Sequence, residues 1–251
     1  MLTRQRKELL LRLLKEEGQI VAKTLSESLG LSEDTIRRDL RELAKEGLLQ
    51  RVHGGALPAS PAQGNFAVRE KLSTDAKPAI ARAAAAMIAP GQVVFIDGGT
   101  TAVQLARALP RDLRATVITH SPSVAVELVG HEYIDVIIIG GRLFKHSIVA
   151  MGAAAVEAVS QFRADLFFMG VCSLDPQAGI TTGDFDEAAM KRALSAHAQR
   201  TVVLASPEKL GTAAPFQIAP LATVDHIVVN RGVDEALLAP YREMGIEVTL
   251  A

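Results

Sequence analysis

Cysteine and aromatic residues are scarce in this sequence. Of 251 residues, one is cysteine, none is tryptophan and 4% are aromatic. The single cysteine, Cys172, excludes a disulfide within the chain and a cysteine-based zinc site. Because hydrophobic residues still make up 49% of the chain, we expect an aliphatic core built from Ala, Val, Ile and Leu.

Long apolar runs are also missing. The basic, then apolar, N-terminus has the outline of a signal peptide, but Arg12 and Lys15 interrupt the apolar part and no small-residue cleavage site follows. No stretch approaches the roughly 18 uncharged apolar residues that a membrane helix needs. The sequence therefore predicts a soluble, cytoplasmic protein without a membrane partner.

The net charge of −1 hides a weak asymmetry. Residues 1–57 carry 11 Lys/Arg and 9 Asp/Glu, a net charge of +2, which leaves −3 for the remainder. Such a small imbalance neither requires nor excludes a nucleic-acid partner, so the position of the positive side chains decides the matter.

The chain divides into two regions of different periodicity. Residues 1–57 have the apolar spacing of three helices followed by a short, glycine-containing strand region. Residues 58–65, PASPAQGN, contain two prolines and a glycine without periodicity. We therefore predict a DNA-binding domain over 1–57, a linker over 58–72 and a second domain over 73–251.

The second region alternates apolar strands with Ala-rich helices. Short Val/Ile runs between helices are typical of a mostly parallel sheet covered on both faces, which is an α/β fold. The predicted strands are Val93–Asp97, Thr116–Thr119, Ile134–Ile139, Asp165–Gly170, Thr201–Ala205, His226–Val229 and Glu247–Leu250.

The third predicted helix, Glu33 to about Glu46, has the features of a DNA-recognition helix. Two helices, a turn at Gly30 and an arginine-rich third helix form the helix-turn-helix pattern. Arginine can bind guanine with two hydrogen bonds, and Ser or Thr near the helix start can reach a phosphate or a base edge. The alternative is a solvated helix whose arginines pair with Asp39 and Glu42. The candidate DNA contacts on this helix are Ser32, Thr35, Arg37, Arg38, Arg41 and Lys45.

A glycine-rich loop follows the first strand of the second region. The sequence DGGTT at 97–101 ends that strand and opens a helix, so backbone N–H groups and two hydroxyls can form an anion site. It matches neither a dinucleotide-binding nor a Walker motif. The alternative is a tight structural turn. Because ligands of open α/β sheets bind at the carboxyl ends of strands, other loops at these ends are expected to converge there.

Several motifs together resemble the DeoR family of bacterial repressors. They are TIRRDL at 35–40, HGGA at 53–56, DGGTT at 97–101, GITT at 179–182, EAAMKRA at 187–193 and SPEKLG at 206–211. The resemblance covers almost the entire chain. It implies an all-α winged helix-turn-helix domain, with the helix-turn-helix at about residues 20–39 and with Arg51 and His53 near DNA phosphates. It also implies a sensor domain similar in fold to ribose-5-phosphate isomerase.

The resemblance also implies a phosphorylated sugar or polyol as effector, with the GGTT loop on its phosphate. His120 departs from the family, which usually has Asn there. The candidate effector residues are Asp97, Gly98, Gly99, Thr100, Thr101, Thr119, His120, Gly141, Glu187 and Lys209.

We expect a repressor of carbohydrate or polyol catabolism genes that binds double-stranded operator DNA as a homodimer or homotetramer. No catalytic residue, metal site or cofactor is predicted. One alternative is a sugar-phosphate isomerase with an appended DNA-binding module. Isomerases of this fold carry an acid-rich strand end, whereas the stretch Met169–Ser173 has no carboxylate. Another alternative is an interaction protein with a vestigial pocket.

Overall fold

The computed structural model describes residues 2–60, 62 and 64–251. Positions 1, 61 and 63, which belong to the predicted DNA-binding domain and linker, lie outside the described residues.

The N-terminal region contains the three predicted helices. Ser32 ends the turn between the second and third, where its hydroxyl accepts a hydrogen bond from the backbone N–H of Thr35 at 3.3 Å and so caps the third helix. Gly30 adopts φ 63°, a left-handed conformation that stops the second helix at little steric cost. The helices are α1 (Thr3–Glu17), α2 (Ala22–Leu29) and α3 (Glu33–Lys45).

A small antiparallel sheet completes this region and forms the wing. Its strands are β1 (Ile20–Val21), β2 (Gln50–Val52) and β3 (Gly55–Leu57), in the order β1–β3–β2. A β-carbon on Gly55 would lie 1.7 Å from the carbonyl oxygen of Ile20, so the pairing of β1 with β3 requires glycine there. The winged helix-turn-helix prediction is confirmed, and the sequence did not predict β1.

The second region is an α/β fold, as predicted. Its strands are β4 (Val93–Ile96), β5 (Ala115–Thr119), β6 (Ile134–Ile138), β7 (Arg142–Phe144), β8 (Val149–Met151), β9 (Ala164–Gly170), β10 (Ser173–Asp175), β11 (Gly179–Thr182), β12 (Ala198–Leu204), β13 (Phe216–Ala219), β14 (His226–Val229) and β15 (Glu247–Leu250). Its helices are α4 (Phe66–Glu70), α5 (Ala76–Ala85), α6 (Thr100–Ala108), α7 (Pro122–Leu128), α8 (Ala153–Val159), α9 (Phe185–Ala196) and α10 (Glu235–Glu243).

Seven of these strands form one sheet, in the order β15–β14–β12–β9–β4–β5–β6, and every neighbouring pair is parallel. They correspond to the seven strands predicted from the sequence. Alternate residues face two separate cores: Phe95 and Phe167 pack on one face, Val94 and Phe168 on the other. Because both faces are covered at the centre of the sheet, β4 and residues 166–169 of β9 are continuously apolar instead of alternating with polar residues.

The chain leaves the centre of the sheet in two directions. From β4 it continues outward through β5 and β6, and from β9 it continues outward through β12, β14 and β15. The carboxyl ends of β4 and β9 therefore flank the topological switch point, where the loops diverge and leave a crevice.

Several smaller elements were not predicted. These are the hairpin β7–β8, the antiparallel sheet β10–β11–β13, and helices α4 and α10. Helix α4 lies inside the stretch 58–72 that the sequence predicts as a linker. None of the described helices combines the length and the apolar character needed to cross a membrane.

Candidate functional site

The recognition helix α3 is held against α1 by buried and half-buried ion pairs. Arg6 forms two hydrogen bonds with Asp39, and the side chains of this pair are 11% and 2% exposed. Lys7 contacts Glu42 at 3.0 Å, and this hydrogen bond raises the pKa of Lys7 and lowers the pKa of Glu42. Asp39 and Glu42 therefore serve the packing of α3 against α1.

This arrangement leaves most cations of α3 available. Arg37 pairs with Glu33 at 2.7 Å, one turn earlier. Within the described part of the chain, Arg38, Arg41 and Lys45 form no ion pair, and all three are exposed. The alternative in which Asp39 and Glu42 form ion pairs with the arginines of α3 is therefore wrong, because both acids pair with α1.

The wing brings two more predicted residues to the same side. A cleft between α3 and the wing is lined by Arg37, Arg41, Arg51 and His53. Arg51 and His53 are exposed, and they flank the turn between β2 and β3 together with Gly54, whose φ is 80°. Ser32 and Thr35 lie at the start of α3, with their hydroxyls 2.9 Å apart. The eight candidate DNA residues therefore lie on α3 and the adjoining wing.

A second cleft lies at the switch point of the large sheet. The loops after β4, β9 and β12 contribute to it, as do helix α9 and the stretch around α4 and α5. It is lined by Ala62, Arg69, Leu72, Lys77, Gly98, Gly99, Thr100, Thr101, Gly170, Val171, Cys172, Glu187, Lys191, Glu208 and Lys209. We call it the sensor cleft.

Four cationic side chains line the sensor cleft, and two of them have lowered pKa values. Burial lowers the pKa of Lys209 to about 8, although Glu208 opposes the shift. Burial also lowers the pKa of Lys77, whose ammonium donates to the backbone carbonyls of Arg69 and Leu72. Charged amines held away from water are stabilised by an anion, so these lysines favour a negatively charged ligand.

Lys191 is held differently, through Asp97. Its ammonium contacts the Asp97 carboxylate and donates to the carbonyl of Gly170 at 2.7 Å. Burial alone would raise the pKa of Asp97, but the charge of Lys191 and the hydrogen bond with His120 outweigh it, so the pKa lies well below its usual range. Burial alone would lower the pKa of Lys191, but the negative charges of Asp97 and Glu187 keep it above the usual value.

Asp97 organises the floor of the cleft. It accepts hydrogen bonds from the backbone N–H groups of Gly98 at 2.8 Å and Gly170 at 2.9 Å. His120 places one ring nitrogen 2.9 Å from Asp97 and the other 2.9 Å from the carbonyl of Ala150. The carboxylate thus ties the loop after β4 to the loop after β9 and to β5.

Two buried polar atoms of the cleft have no hydrogen-bond partner within the described residues. They are the hydroxyl oxygen of Thr101 and Nε of Arg69. Thr101 is 3% exposed and lies in the first turn of α6, where backbone N–H groups are also without helical partners. Because buried polar groups are normally satisfied, this part of the cleft has the donors for a bound anion.

Glu187 lies at the opposite side of the cleft. Its carboxylate accepts hydrogen bonds from Thr182 and, at 3.3 Å, from Ser147. Cys172 is buried beside it, and this burial raises the pKa of the thiol. Glu187 is therefore held in place by its neighbours, and the thiol is not activated for nucleophilic chemistry.

Six of the ten predicted effector residues line the sensor cleft: Gly98, Gly99, Thr100, Thr101, Glu187 and Lys209. The other four lie outside its lining. Asp97 and His120 are buried beneath it, each 1% exposed. The Thr119 hydroxyl accepts from the N–H of Ser121. Gly141 lies against the backbone of β8, where a β-carbon would be 2.8 Å from the carbonyl oxygen of Met151.

Sequence reasoning missed three cations of the cleft. The sequence did contain a signal for Lys191, because this residue lies one helical turn after Glu187 within the EAAMKRA motif. Arg69 and Lys77 had none, because they lie in or next to a segment without strong periodicity. The described residues contain no group of three or more His, Cys, Asp or Glu that could hold a metal ion.

Two family profiles match this chain. Residues 6–62 match the DeoR-like helix-turn-helix domain, and residues 72–231 match the DeoR C terminal sensor domain. The chain belongs to the DeoR family. This DeoR-family member is a transcriptional regulator with a DNA-binding domain followed by a sensor domain, as the sequence predicted.

Relatives extend over nearly the whole regulator. The HTH-type transcriptional regulator GlpR of Haloferax volcanii is 35% identical over 250 residues, 99% of this chain and 98% of the relative. The HTH-type transcriptional repressor CsqR of Escherichia coli K12 is 33% identical, with 98% and 94% covered. The glycerol-3-phosphate regulon repressor of the same organism is 32% identical, with 90% of each chain covered.

Among solved structures, ribose 5-phosphate isomerase A from Methanocaldococcus jannaschii superposes with a TM-score of 0.40 at 17% identity, over 53% of this chain and 52% of that one. The sorbitol operon regulator SorC from Klebsiella pneumoniae superposes with a TM-score of 0.40 at 12% identity, over 83% and 90%.

Proposed function

We propose that this DeoR-family regulator is a cytoplasmic repressor of carbohydrate or polyol catabolism genes, released from operator DNA by a phosphorylated sugar or polyol. The effector binds in the sensor cleft. Gly98, Gly99, Thr100 and Thr101 surround its phosphate, and Lys209 supplies compensating charge. Asp97 and His120 act as positioning residues beneath the cleft.

One observation carries this proposal: the cleft gathers four cationic side chains around a helix N-terminus that has an unpartnered buried hydroxyl. A helix N-terminus favours anions through its free N–H groups and its dipole. Glu187 and Glu208 also line the cleft and disfavour excess negative charge, while their oxygens can accept hydrogen bonds from sugar hydroxyls. A ligand with one phosphate and several hydroxyls suits this mixture.

The names of the relatives support the choice of effector class. One is a glycerol-3-phosphate regulon repressor and another a putative aga operon transcriptional repressor. We infer a phosphorylated metabolite of similar size for this regulator.

On the DNA side, we propose that α3 enters the major groove. Arg38 and Arg41 read bases there, because both are exposed and unpaired in the described structure. Ser32, Thr35, Arg37 and Lys45 contact the backbone or base edges from the same helix, and Arg51 and His53 bind phosphates from the wing. Since a domain with a net charge of +2 binds weakly alone and operators usually contain paired half-sites, we propose a homodimer or homotetramer.

We further propose that the protein is not an enzyme. The end of β9 and the loop after it contribute Gly170, Val171 and Cys172 to the cleft, and none of them has a carboxylate. Glu187 is hydrogen-bonded by two hydroxyls, without a second carboxylate from that strand end for the proton transfer of aldose–ketose exchange.

The proposal is tested by a thermal-shift screen of the full chain. Glycerol 3-phosphate, ribose 5-phosphate, glucose 6-phosphate and N-acetylgalactosamine 6-phosphate are each compared with the unphosphorylated parent. We expect at least one phosphorylated compound to raise the melting temperature in a saturable way while its parent does not. If no phosphorylated compound shifts it, or if parents bind equally well, the sensor cleft is not a phosphate site. Turnover of ribose 5-phosphate that disappears in Glu187→Gln would instead establish the isomerase alternative.

A further inference from the structure

One wall of the sensor cleft comes from the segment that follows the wing. Residues 64–77, which we call the strap, contain helix α4 and the start of α5 and supply Arg69, Leu72 and Lys77 to the lining. The sequence predicts most of the strap as linker. In the structure it forms part of a binding site.

The strap is attached to loops on two sides of the cleft. At one end, the backbone N–H of Phe66 donates to the carbonyl of His146 at 2.9 Å, in the loop between β7 and β8. Further along, the hydroxyl of Ser73 donates to Glu208, in the loop after β12. Lys77 closes the strap internally through its bonds to the carbonyls of Arg69 and Leu72. The strap therefore bridges the cleft between these two loops.

Arg69 projects from the strap toward the phosphate loop. One terminal nitrogen, Nη2, donates to the carbonyl of His146 at 3.3 Å and to Ser147 at 3.1 Å. The other, Nη1, lies 3.6 Å from the position that a β-carbon on Gly99 would occupy. Nε is buried without a partner in the described residues. Nη2 is thus held by the loop between β7 and β8, and Nη1 is the guanidinium nitrogen that faces Gly99.

We propose that Arg69 is the second anchor of the effector's anionic group, opposite the GGTT loop, and that effector binding thereby fastens the strap to the sensor domain. This inference rests on the proposed function. Nη1 can donate a charge-assisted hydrogen bond to the anion, and the Thr101 hydroxyl with the N–H groups of α6 supplies donors from the other side. An anion there also gives a partner to the Thr101 hydroxyl, which has none within the described residues.

Such a contact couples the cleft to the DNA-binding domain. A ligand shifts a conformational equilibrium only by binding one state better than the other. Arg69 belongs to the stretch of chain that continues from wing strand β3, so its contact with the effector is made only when the strap lies on the cleft. Effector occupancy therefore sets the position of the chain that leads to the wing.

The test uses the full chain with inorganic phosphate and glycerol 3-phosphate as probes, in thermal-shift titrations and in hydrogen–deuterium exchange of the strap amides. We expect Arg69→Ala to weaken binding of the better probe at least tenfold and Arg69→Lys to have an intermediate effect, because lysine keeps the charge and loses the guanidinium that His146 and Ser147 hold in place. Lys71→Ala removes an exposed cation of the strap and is the matched control, expected within twofold of wild type.

Hydrogen–deuterium exchange distinguishes an anchoring role of Arg69 from a purely structural one. In wild type the probe should slow exchange of amides 66–77, and this protection should be lost in Arg69→Ala and retained in Lys71→Ala. Arg69 is not an anchor if Arg69→Ala and Arg69→Lys bind the probe within twofold of wild type, or if the probe protects the strap as strongly in Arg69→Ala as in wild type. The proposed phosphate site would stand in either case. If neither probe binds wild type, the anion site itself is wrong, and the inference falls with it.

Discussion

The two functional regions use positive charge in opposite ways. On α3, Arg38, Arg41 and Lys45 are exposed and free of ion pairs in the described structure, because α1 occupies Asp39 and Glu42. In the sensor cleft, Lys77, Lys191 and Lys209 are buried and surrounded by acids and carbonyls.

The difference suits two kinds of anion. DNA presents many phosphates along a surface, so exposed cations bind it through screened, salt-dependent attraction. A small effector brings one phosphate into a protected site, where each charge–charge contact is stronger and pKa values shift. We therefore expect the DNA-binding region to respond to salt and the sensor cleft to respond to pH and to single buried substitutions.

The largest effect is expected from breaking the buried charge network. Asp97→Asn removes the closer of the two carboxylates that face Lys191, the other being Glu187 at 4.0 Å, and weakens the bond with His120, so the free energy of unfolding should fall by about 3–5 kcal/mol. Asp186→Asn breaks the exposed pair with Arg142, whose side chains are 48% and 67% exposed, and should cost under about 1 kcal/mol. Urea denaturation measures both. Equal losses of stability in the two variants would contradict the expectation that the buried ion pair contributes more to stability than the exposed one.

Placing a negative charge at the phosphate position should abolish effector binding. In Thr101→Asp a carboxylate would occupy the start of α6 and repel the phosphate, so we expect at least a 100-fold loss of affinity, about 2.7 kcal/mol. Operator binding should stay within twofold, which makes the variant a repressor that is not induced. Calorimetry measures the first and a gel-shift assay the second. Thr101→Ser keeps the hydroxyl and is the control; intact induction of Thr101→Asp would place the phosphate elsewhere.

On the DNA side, two arginines should respond differently. Arg38→Ala should cost roughly 1–3 kcal/mol of operator binding and relax specificity at one base position, because Arg38 is proposed to read a base. Arg51→Ala should weaken binding to all sequences alike and reduce the salt slope by about one, as expected for a phosphate contact. Fluorescence anisotropy at several salt concentrations separates the two. If neither variant changes affinity, α3 and the wing are not the docking face.

The smallest effect is a pH dependence of effector affinity. Lys209 has a pKa of about 8 in the free protein, so it is charged below that pH and neutral above it. A bound phosphate favours the charged form, hence binding above pH 8 requires proton uptake. We expect affinity to fall up to tenfold from pH 8 to pH 9, with little change from pH 7 to pH 7.5.

Calorimetry in two buffers of different ionisation enthalpy detects this proton uptake. Lys209→Met should bind more weakly at pH 7 and lose the dependence between pH 8 and pH 9. A wild-type affinity that stays constant across this range would mean that Lys209 does not face the phosphate.

The sequence alone determined the elements whose pattern is local. Short Val/Ile-rich stretches between helices marked the seven strands of the large sheet, most clearly at its centre, where a strand buried on both faces is apolar at nearly every position. The helix-turn-helix was visible in the same way, through apolar spacing, the Ser32 cap and the turn at Gly30. The GGTT loop could be predicted as an anion site because its glycines, hydroxyls and helix start are adjacent in the chain.

Only the tertiary structure decided which distant side chains meet. Asp39 pairs with Arg6, 33 residues away, and Asp97 pairs with Lys191, 94 residues away. Arg69 reaches the GGTT loop from a segment that lacks a strong pattern of its own. The physical reason is that periodicity reports which face of one element is buried, whereas convergence at a cleft depends on the strand order of the sheet and on the chain that crosses over it.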